Sequence, residues 1–280
     1  MTNIVIPVIG EVDNPAGWID IVKELDAVIE CVGGFADMKT VSEEILLAVS
    51  KAAKKLRPEG SPKLTYIYTS GAWVHGDDRN KIITDTTPLT PTNELVTWRP
   101  NREQEVIKDA NLNGIVIRPT LVVGRSGSLL APYFKSASEG TVWYPGEPGG
   151  RFAVVHVDDL ADLYVRVVEK ATITGGLIFD AANDQTESVD DVLAALVKVS
   201  GAQKPYEYRK PANGMLSPLW LVFWLRLGDY TLLLLAYEVA CATTLLLKPY
   251  LVKSIVGWRP NKAGLVDGLP IYYAAWKAAQ

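Results

Sequence analysis

Two adjacent hydroxyl side chains, Thr69 and Ser70, follow a short run of apolar and aromatic residues from Leu64 to Tyr68. That composition is typical of a buried strand. In an open α/β sheet, ligands bind just beyond the carboxyl ends of the strands. A hydroxyl at such a position could donate a hydrogen bond to the oxygen of a bound ligand. It could equally satisfy backbone groups where the strand ends, so both interpretations stay open.

The composition excludes several classes of protein. The chain has 280 residues and a formal net charge of -4, so it has no overall attraction for nucleic acid or an anionic membrane. Its two cysteines cannot form a disulfide framework, which predicts a reducing, cytoplasmic environment. With two histidines and no Cys-x-x-Cys pattern, we expect no metal site. The opening residues do not resemble a secretory signal.

The elements that must position these side chains alternate between strand and helix. Strands are predicted at residues 4–9, 26–32, 64–68, 114–119, 152–157 and 177–181. Helices are predicted at residues 18–25, 41–56, 102–110, 158–170, 188–200 and 272–279. This alternation indicates βαβ units and therefore an α/β fold with a parallel sheet.

The segment from Leu216 to Leu247 is strongly apolar. Arg226, Asp229 and Glu238 interrupt it, so no uncharged run reaches the roughly 20 residues of a membrane span. We therefore expect a buried helical lobe. Contact with a membrane surface through the aromatic residues of segment 216–247 stays open as an alternative.

Five short segments occur in the order in which a known family has them. They are Asp26–Ile29, Tyr68–Gly76, Ile117–Gly124 (IRP followed by VG), Phe152–Ala161 (FAVVHVDDLA) and Gly257–Pro260 (GWRP). On these segments the chain resembles the extended short-chain dehydrogenase/reductase family, the NAD-dependent epimerase/dehydratase group, over almost its whole length. The resemblance implies a Rossmann-like sheet, NAD or NADP as cofactor, and hydride transfer on a small hydroxyl or carbonyl substrate.

The sequence departs from the family at its start. The family holds the cofactor pyrophosphate in a glycine-rich turn after its first strand, but this sequence contains no G-x-x-G-x-x-G. Residues 10–13 instead resemble the turn after the family's third strand. We therefore expect an N-terminally truncated sheet, in which residues 4–9 are unpaired or lie beside strand 26–32. The cofactor could have been lost, and an incomplete gene model is an alternative explanation.

The family's catalytic Ser or Thr, Tyr and Lys are also altered. By the resemblance, Gly71 stands at the position of the catalytic hydroxyl, and Ser70 lies one residue earlier. Leu95 and Arg99 replace the tyrosine and the lysine, so no phenol remains to act as the general acid or base. The resemblance leaves Ser70 as the hydrogen-bond donor to the substrate oxygen and Arg99 as the group on the nicotinamide ribose.

The resemblance also implies which residues surround the ligands. The expected cofactor contacts are Glu11, Val12, Cys31, Val32, Gly33, Thr69, Arg99, Pro119 and Thr120. The expected substrate pocket consists of Gly71, Trp73, Trp98 and His156. A structural role is the alternative for His156, and positions in the core are the alternative for the two tryptophans.

The predicted organisation is a partial Rossmann-like domain, residues 1–125 with 152–181, and a smaller C-terminal α/β lobe, residues 126–151 and 182–280. Two functions stay open. One is an NAD(P)-dependent oxidoreductase or epimerase-like enzyme. The other is a non-catalytic relative that senses a dinucleotide or binds a protein. A membrane-associated sterol-type dehydrogenase is a third hypothesis, and only the apolar segment suggests it.

Overall fold

A parallel sheet lies at the centre of the structure, a computed structural model that describes residues 5–12, 14–33, 37–125, 129–210 and 238–280. Within these residues the sheet has four strands. With strands numbered along the chain, they are, in spatial order, β1 (Ala27–Glu30), β2 (Leu64–Thr69), β4 (Leu112–Pro119) and β9 (Ile178–Ala181). The strand that carries Thr69 therefore lies inside the sheet, between β1 and β4.

The remaining elements surround this sheet. The helices are α1 (Met38–Leu56), α2 (Arg99–Lys108), α3 (Ala131–Ser138), α4 (Val157–Glu169), α5 (Ala171–Thr174), α6 (Val189–Ser200) and α7 (Leu265–Ala278). The other strands form two-stranded pairs: β3 (Asp78–Ile83) with β12 (Leu245–Leu247), β5 (Leu121–Val123) with β8 (Val154–His156), β6 (Trp143–Pro145) with β11 (Glu207–Arg209), and β7 (Arg151–Phe152) with β10 (Glu187–Ser188). Short 3-10 helices form at Pro15–Gly17, Ile19–Glu24 and Ala72–His75, and a π-helical turn forms at Val252–Val256.

Helices cover both faces of the sheet because successive strand residues point to opposite faces. Tyr66 and Tyr68 of β2 pack in an apolar cluster with α1 and α2. Ile67 packs in a different cluster with Leu163 and Val167 of α4. Both faces of β2 are therefore buried, which explains why residues 64–68 are apolar, aromatic or β-branched.

Two of the family-like motifs meet at the start of α4. The Asp159 Oδ2 atom accepts hydrogen bonds from the backbone N–H groups of Asn261 (3.1 Å) and Lys262 (2.9 Å). The indole Nε1 of Trp258, a fully buried side chain, donates to the Asp159 carbonyl oxygen at 2.9 Å. The VHVDDLA and GWRP motifs thus form one contact between distant parts of the chain.

A further apolar cluster joins α3, α6 and α7. Its members include Phe134, Leu193, Leu269 and Trp276. Strands β6 and β7 contribute to the same cluster. The boundaries between a Rossmann-like domain and a C-terminal lobe stay a prediction.

Most predicted elements form close to their predicted bounds, and the α/β fold with a parallel sheet is confirmed. The segment predicted as a strand at residues 4–9 is an exception. Residues 5–9 pair with no described strand, and Val5, Ile6 and Ile9 are 88%, 77% and 95% exposed. Pro7 has no N–H to donate to a strand ladder, which weakens any pairing there. Strand β1 therefore forms one edge of the sheet within the described residues.

The apolar segment 216–247 falls largely outside the described residues, and so does the helical lobe predicted for it. Of its described residues, 238–241 are helical, and Leu245–Leu247 is a strand that pairs in parallel with β3. Leu245 and Leu247 are buried. Across the described ranges, no helix is both long and apolar enough to span a bilayer.

Candidate functional site

A cavity of about 560 Å³ lies at the carboxyl ends of β2 and β4. Neighbouring parallel strands end at the same edge of a sheet, so the residues that follow them come together there. The predicted site residues that line this cavity are Thr69, Ser70, Gly71, Trp73, Trp98, Arg99, Pro119 and Thr120. Other lining residues are mainly apolar and include Leu95, Leu121, Leu129, Phe152 and Leu245.

Several residues that were predicted to bind the cofactor do not line the cavity: Glu11, Val12, Cys31, Val32 and Gly33. Residues 5–12 join no strand, so the structure does not bring them to this edge of the sheet. The Cys31 Sγ atom lies 3.4 Å from the hydroxyl oxygen of Thr69, which lines the cavity. Their role in cofactor binding stays a prediction.

His156 caps α4 instead of lining the cavity. Its Nδ1 atom accepts a hydrogen bond from the backbone N–H of Asp158 at 3.1 Å, and its ring packs against Tyr272. Burial lowers the pKa of His156 despite the nearby Asp158 carboxylate, which favours the neutral ring that an Nδ1 acceptor requires. His156 thus has the structural role that was the alternative, and it does not line this cavity as a substrate pocket.

Arg99 is held at the cavity wall by neutral oxygens. Its Nη1 atom donates to the Tyr68 hydroxyl at 2.8 Å and to the Thr69 carbonyl oxygen at 3.3 Å. The guanidinium carbon lies 4.8 Å from the Trp98 ring centroid. No carboxylate of a described residue lies within ion-pair distance of Arg99. The side chain is therefore an oriented cation whose other N–H groups are not used by described residues.

Tyr68 does not replace the tyrosine that the family uses in catalysis. Its side chain is buried and is not part of the cavity lining. Burial raises the pKa of Tyr68 to about 12, although the charge of Arg99 opposes this rise. The phenol stays protonated at neutral pH, and its contact with Arg99 gives it a positioning role.

The Ser70 hydroxyl already donates its proton in a hydrogen bond to a buried side chain. The Ser70 hydroxyl donates to Oε1 of Glu103 at 2.6 Å, and Glu103 is fully buried. Arg118 donates to both oxygens of the same carboxylate, from Nε at 2.9 Å and from Nη2 at 2.5 Å. A serine hydroxyl has one proton, so in this arrangement Ser70 can only accept a hydrogen bond from a ligand. The predicted role of Ser70 as donor to a substrate oxygen is therefore corrected.

Glu103 and Arg118 were not predicted as partners of Ser70. The sequence indicated only that both residues lie near predicted site residues. Glu103 lies one helical turn after Arg99, and Arg118 directly precedes Pro119 in the IRP motif. Their contact connects α2 to β4 and could not be derived from spacing along the chain.

The buried charges continue beyond Arg118. Its Nη1 atom lies 3.8 Å from Oδ1 of Asp180, which in turn contacts Nε2 of His75 at 3.0 Å. Burial alone would lower the pKa of Arg118, but the hydrogen bonds and charge of Glu103 and the charge of Asp180 raise it overall. The guanidinium group thus stays charged between two buried carboxylates.

Two other neutral polar side chains that line the cavity also direct their protons to protein oxygens. The Thr120 hydroxyl donates to the Ala181 carbonyl oxygen at 3.0 Å. The Trp98 indole donates to the Leu95 carbonyl oxygen at 2.9 Å. Neither tyrosine nor histidine occurs among the described residues of the lining.

These residues fit one end of a dinucleotide cofactor. The free N–H groups of Arg99 suit the hydroxyls of a nicotinamide ribose. A pyrophosphate needs free N–H groups at a helix N-terminus. Helix α1 begins beside the cavity, but the Asp37 carboxylate accepts a hydrogen bond from Thr40 N at 3.0 Å and holds a negative charge there. The described residues thus fit the ribose end better than the phosphate end.

Solved structures with the same fold include a dehydratase and an epimerase. RMD from Pseudomonas aeruginosa, complexed with NADPH, has a TM-score of 0.71 and 13% identity over 98% of this chain and 89% of its own. The dTDP-glucose 4,6-dehydratase of Bacillus anthracis str. Ames, in complex with NAD, has a TM-score of 0.71 and 16% identity over 96% of this chain and 78% of its own.

The UDP-glucuronic acid 4-epimerase of Bacillus cereus, in complex with UDP-glucuronic acid and NAD, has a TM-score of 0.70 and 13% identity over 97% of this chain and 81% of its own. No protein-family model and no curated protein matches the sequence. At these identities the comparisons confirm the fold that the sequence motifs predicted.

Proposed function

We propose that this chain is an NAD(P)-dependent oxidoreductase of a small, mainly apolar hydroxyl or carbonyl compound. The observation that carries the proposal is the cavity at the carboxyl ends of β2 and β4, with Arg99 fixed at its wall. Three structures with this fold are bound to NAD or NADPH, which supports a nicotinamide cofactor. When bound, that cofactor supplies hydride transfer.

The residues of the chain have separate roles in this proposal. Arg99 binds the hydroxyls of the nicotinamide ribose, and Tyr68 and the Thr69 carbonyl oxygen hold Arg99 in position. Trp73 and Phe152 contribute apolar walls that exclude water from the ligand. A small molecule is the proposed partner, and the negative net charge argues against nucleic acid. We infer a cytoplasmic location from the cysteine content, because two cysteines cannot form a disulfide framework.

Titration with NADH and NADPH, followed by nicotinamide fluorescence, tests the proposal. We expect a saturable change with the native chain and an affinity about 10- to 100-fold lower in Arg99→Met, because charged hydrogen bonds to the ribose are lost. Arg166→Met, on the exposed side of α4, is the matched control and should bind like the native chain. No saturable change with either dinucleotide would contradict the proposal.

A second function, binding without turnover, is supported by one observation. The position of the catalytic tyrosine is Leu95, and the described lining of the cavity provides no phenol or imidazole to move a proton. Assays of the loaded protein with alcohols, ketones and sugar nucleotides separate the two functions. Dinucleotide binding without turnover of any compound would select the non-catalytic one.

A further inference from the structure

Ser70 and Thr120 hold corresponding places on neighbouring strands. Ser70 is the first residue after β2, and Thr120 is the first after β4. Both line the cavity, and each is 8% exposed. Their hydroxyl oxygens are thus two of the neutral polar atoms at the edge of the sheet where a ligand would bind.

Both hydroxyls use their only proton within the protein. The Ser70 hydroxyl donates to Glu103 at 2.6 Å, and the Thr120 hydroxyl donates to the Ala181 carbonyl oxygen at 3.0 Å. What remains on each oxygen is a lone pair, which can accept a hydrogen bond but cannot supply one.

Rotating these hydroxyls toward a ligand would be unfavourable. Glu103 is fully buried, and loss of the Ser70 proton would leave one of its oxygens with a single hydrogen bond, from Arg118 Nε. Removing a partner from a buried carboxylate is costly. Besides the Trp73 indole, the side chains in the lining that can still donate are cations, Lys39, Arg99 and Arg151, which suit an anion or the cofactor ribose better than a neutral carbonyl group.

We propose that Ser70 and Thr120 make the cavity selective for ligands that present hydrogen-bond donors. The cavity then binds an alcohol more tightly than the ketone of the same carbon skeleton. This inference rests on the proposed function and deepens it, because it names the alcohol as the form of the substrate that the protein holds.

Calorimetric titration with 1-phenylethanol and with acetophenone tests this selectivity. We expect the native chain to bind the alcohol about 3- to 10-fold more tightly, the effect of one neutral hydrogen bond. Ser70→Ala and Thr120→Val should each weaken alcohol binding, by at most that factor because the alcohol has a single proton to share between the two oxygens, and leave ketone binding unchanged. Thr174→Val is the matched control, because the buried Thr174 hydroxyl donates to helix carbonyls away from the cavity.

Three results would overturn the inference: tighter or equal binding of the ketone, an equal loss for both probes in the variants, or binding of neither probe. If Ser70→Ala does not fold, Thr120→Val alone tests the inference. We expect this variant to fold, because the Ala181 carbonyl oxygen still accepts a hydrogen bond from the backbone N–H of Thr120. Titrations with and without NADH separate the two proposals. Alcohol preference without NADH binding would refute only the proposed function, and NADH binding without alcohol preference would refute only this inference.

Discussion

At the scale of single residues, burial decides which side chains keep their protons. Glu30, at the end of β1, is 5% exposed, and no described cation lies within ion-pair distance of its carboxylate. The Tyr66 hydroxyl donates to it. Burial raises the pKa of Glu30, and the bond from Tyr66 and the charges of Arg99 and Arg102 only partly oppose this rise. The ionised form of Glu30 is therefore less favourable in the folded protein than in the unfolded chain.

Glu30→Gln should raise the free energy of unfolding at pH 7.5 by about 1 kcal/mol, because it removes a buried charge and keeps an acceptor for Tyr66. Since the folded-state pKa of Glu30 is raised, the native chain recovers stability as the pH falls toward 4.5. Urea unfolding at pH 7.5 and pH 5 should show the advantage of the variant shrinking. Glu147→Gln, at an exposed position, should show no such trend, and a constant difference for Glu30→Gln would contradict the assignment.

At the scale of elements, one carboxylate joins α4 to the turn before α7. Asp159 accepts two backbone hydrogen bonds from residues 261 and 262, and its own carbonyl oxygen accepts the Trp258 indole. Asp159 is 4% exposed, whereas the carboxylate of its neighbour Asp158 is 34% exposed and pairs with Arg125. The two adjacent aspartates of the VHVDDLA motif thus serve different purposes.

Asp159→Ala should lower the free energy of unfolding by about 2–4 kcal/mol, because two N–H groups lose a charged acceptor. Asp158→Ala is the matched control, and loss of its exposed ion pair should cost less than about 1 kcal/mol. Chemical denaturation of both variants measures the difference. Equal effects would show that the contact between the two motifs does not stabilise the fold.

At the scale of the whole molecule, a line of buried charges crosses the sheet. Glu103 comes from α2, Arg118 from β4 and Asp180 from β9, and His75 comes from the 3-10 turn after β2. Arg118 is the central cation, and both of its carboxylate partners are at most 1% exposed. Removing it would leave two buried negative charges without this neighbour.

Arg118→Met should therefore cost about 3–5 kcal/mol of unfolding free energy. Arg166→Met breaks an exposed ion pair with Asp162 on α4 and should cost less than about 1 kcal/mol. Urea titration of the two variants is the measurement. A cost for Arg118→Met as small as that of the control would mean that the buried carboxylates are stabilised in another way.

The sequence by itself determined the parallel sheet and the edge at which the cavity lies. The apolar run at residues 64–68, the helix after Ser188 and the VHVDDLA motif are local patterns, and local patterns report which segments form strands and helices. The rule that ligands bind at the carboxyl ends of parallel strands then placed Thr69 and Ser70 at one edge, and the family resemblance added Thr120.

Only the tertiary structure decided what these side chains do. Ser70 donates to a glutamate 33 residues away, and this contact depends on how α2 packs against β2 and β4. His156 caps its own helix, and residues 5–9 remain outside the sheet. A hydrogen bond depends on distance and direction to within a fraction of an ångström, and the packing of distant elements sets both. Spacing along the chain could therefore show which polar groups reach the cavity, but not where their protons point.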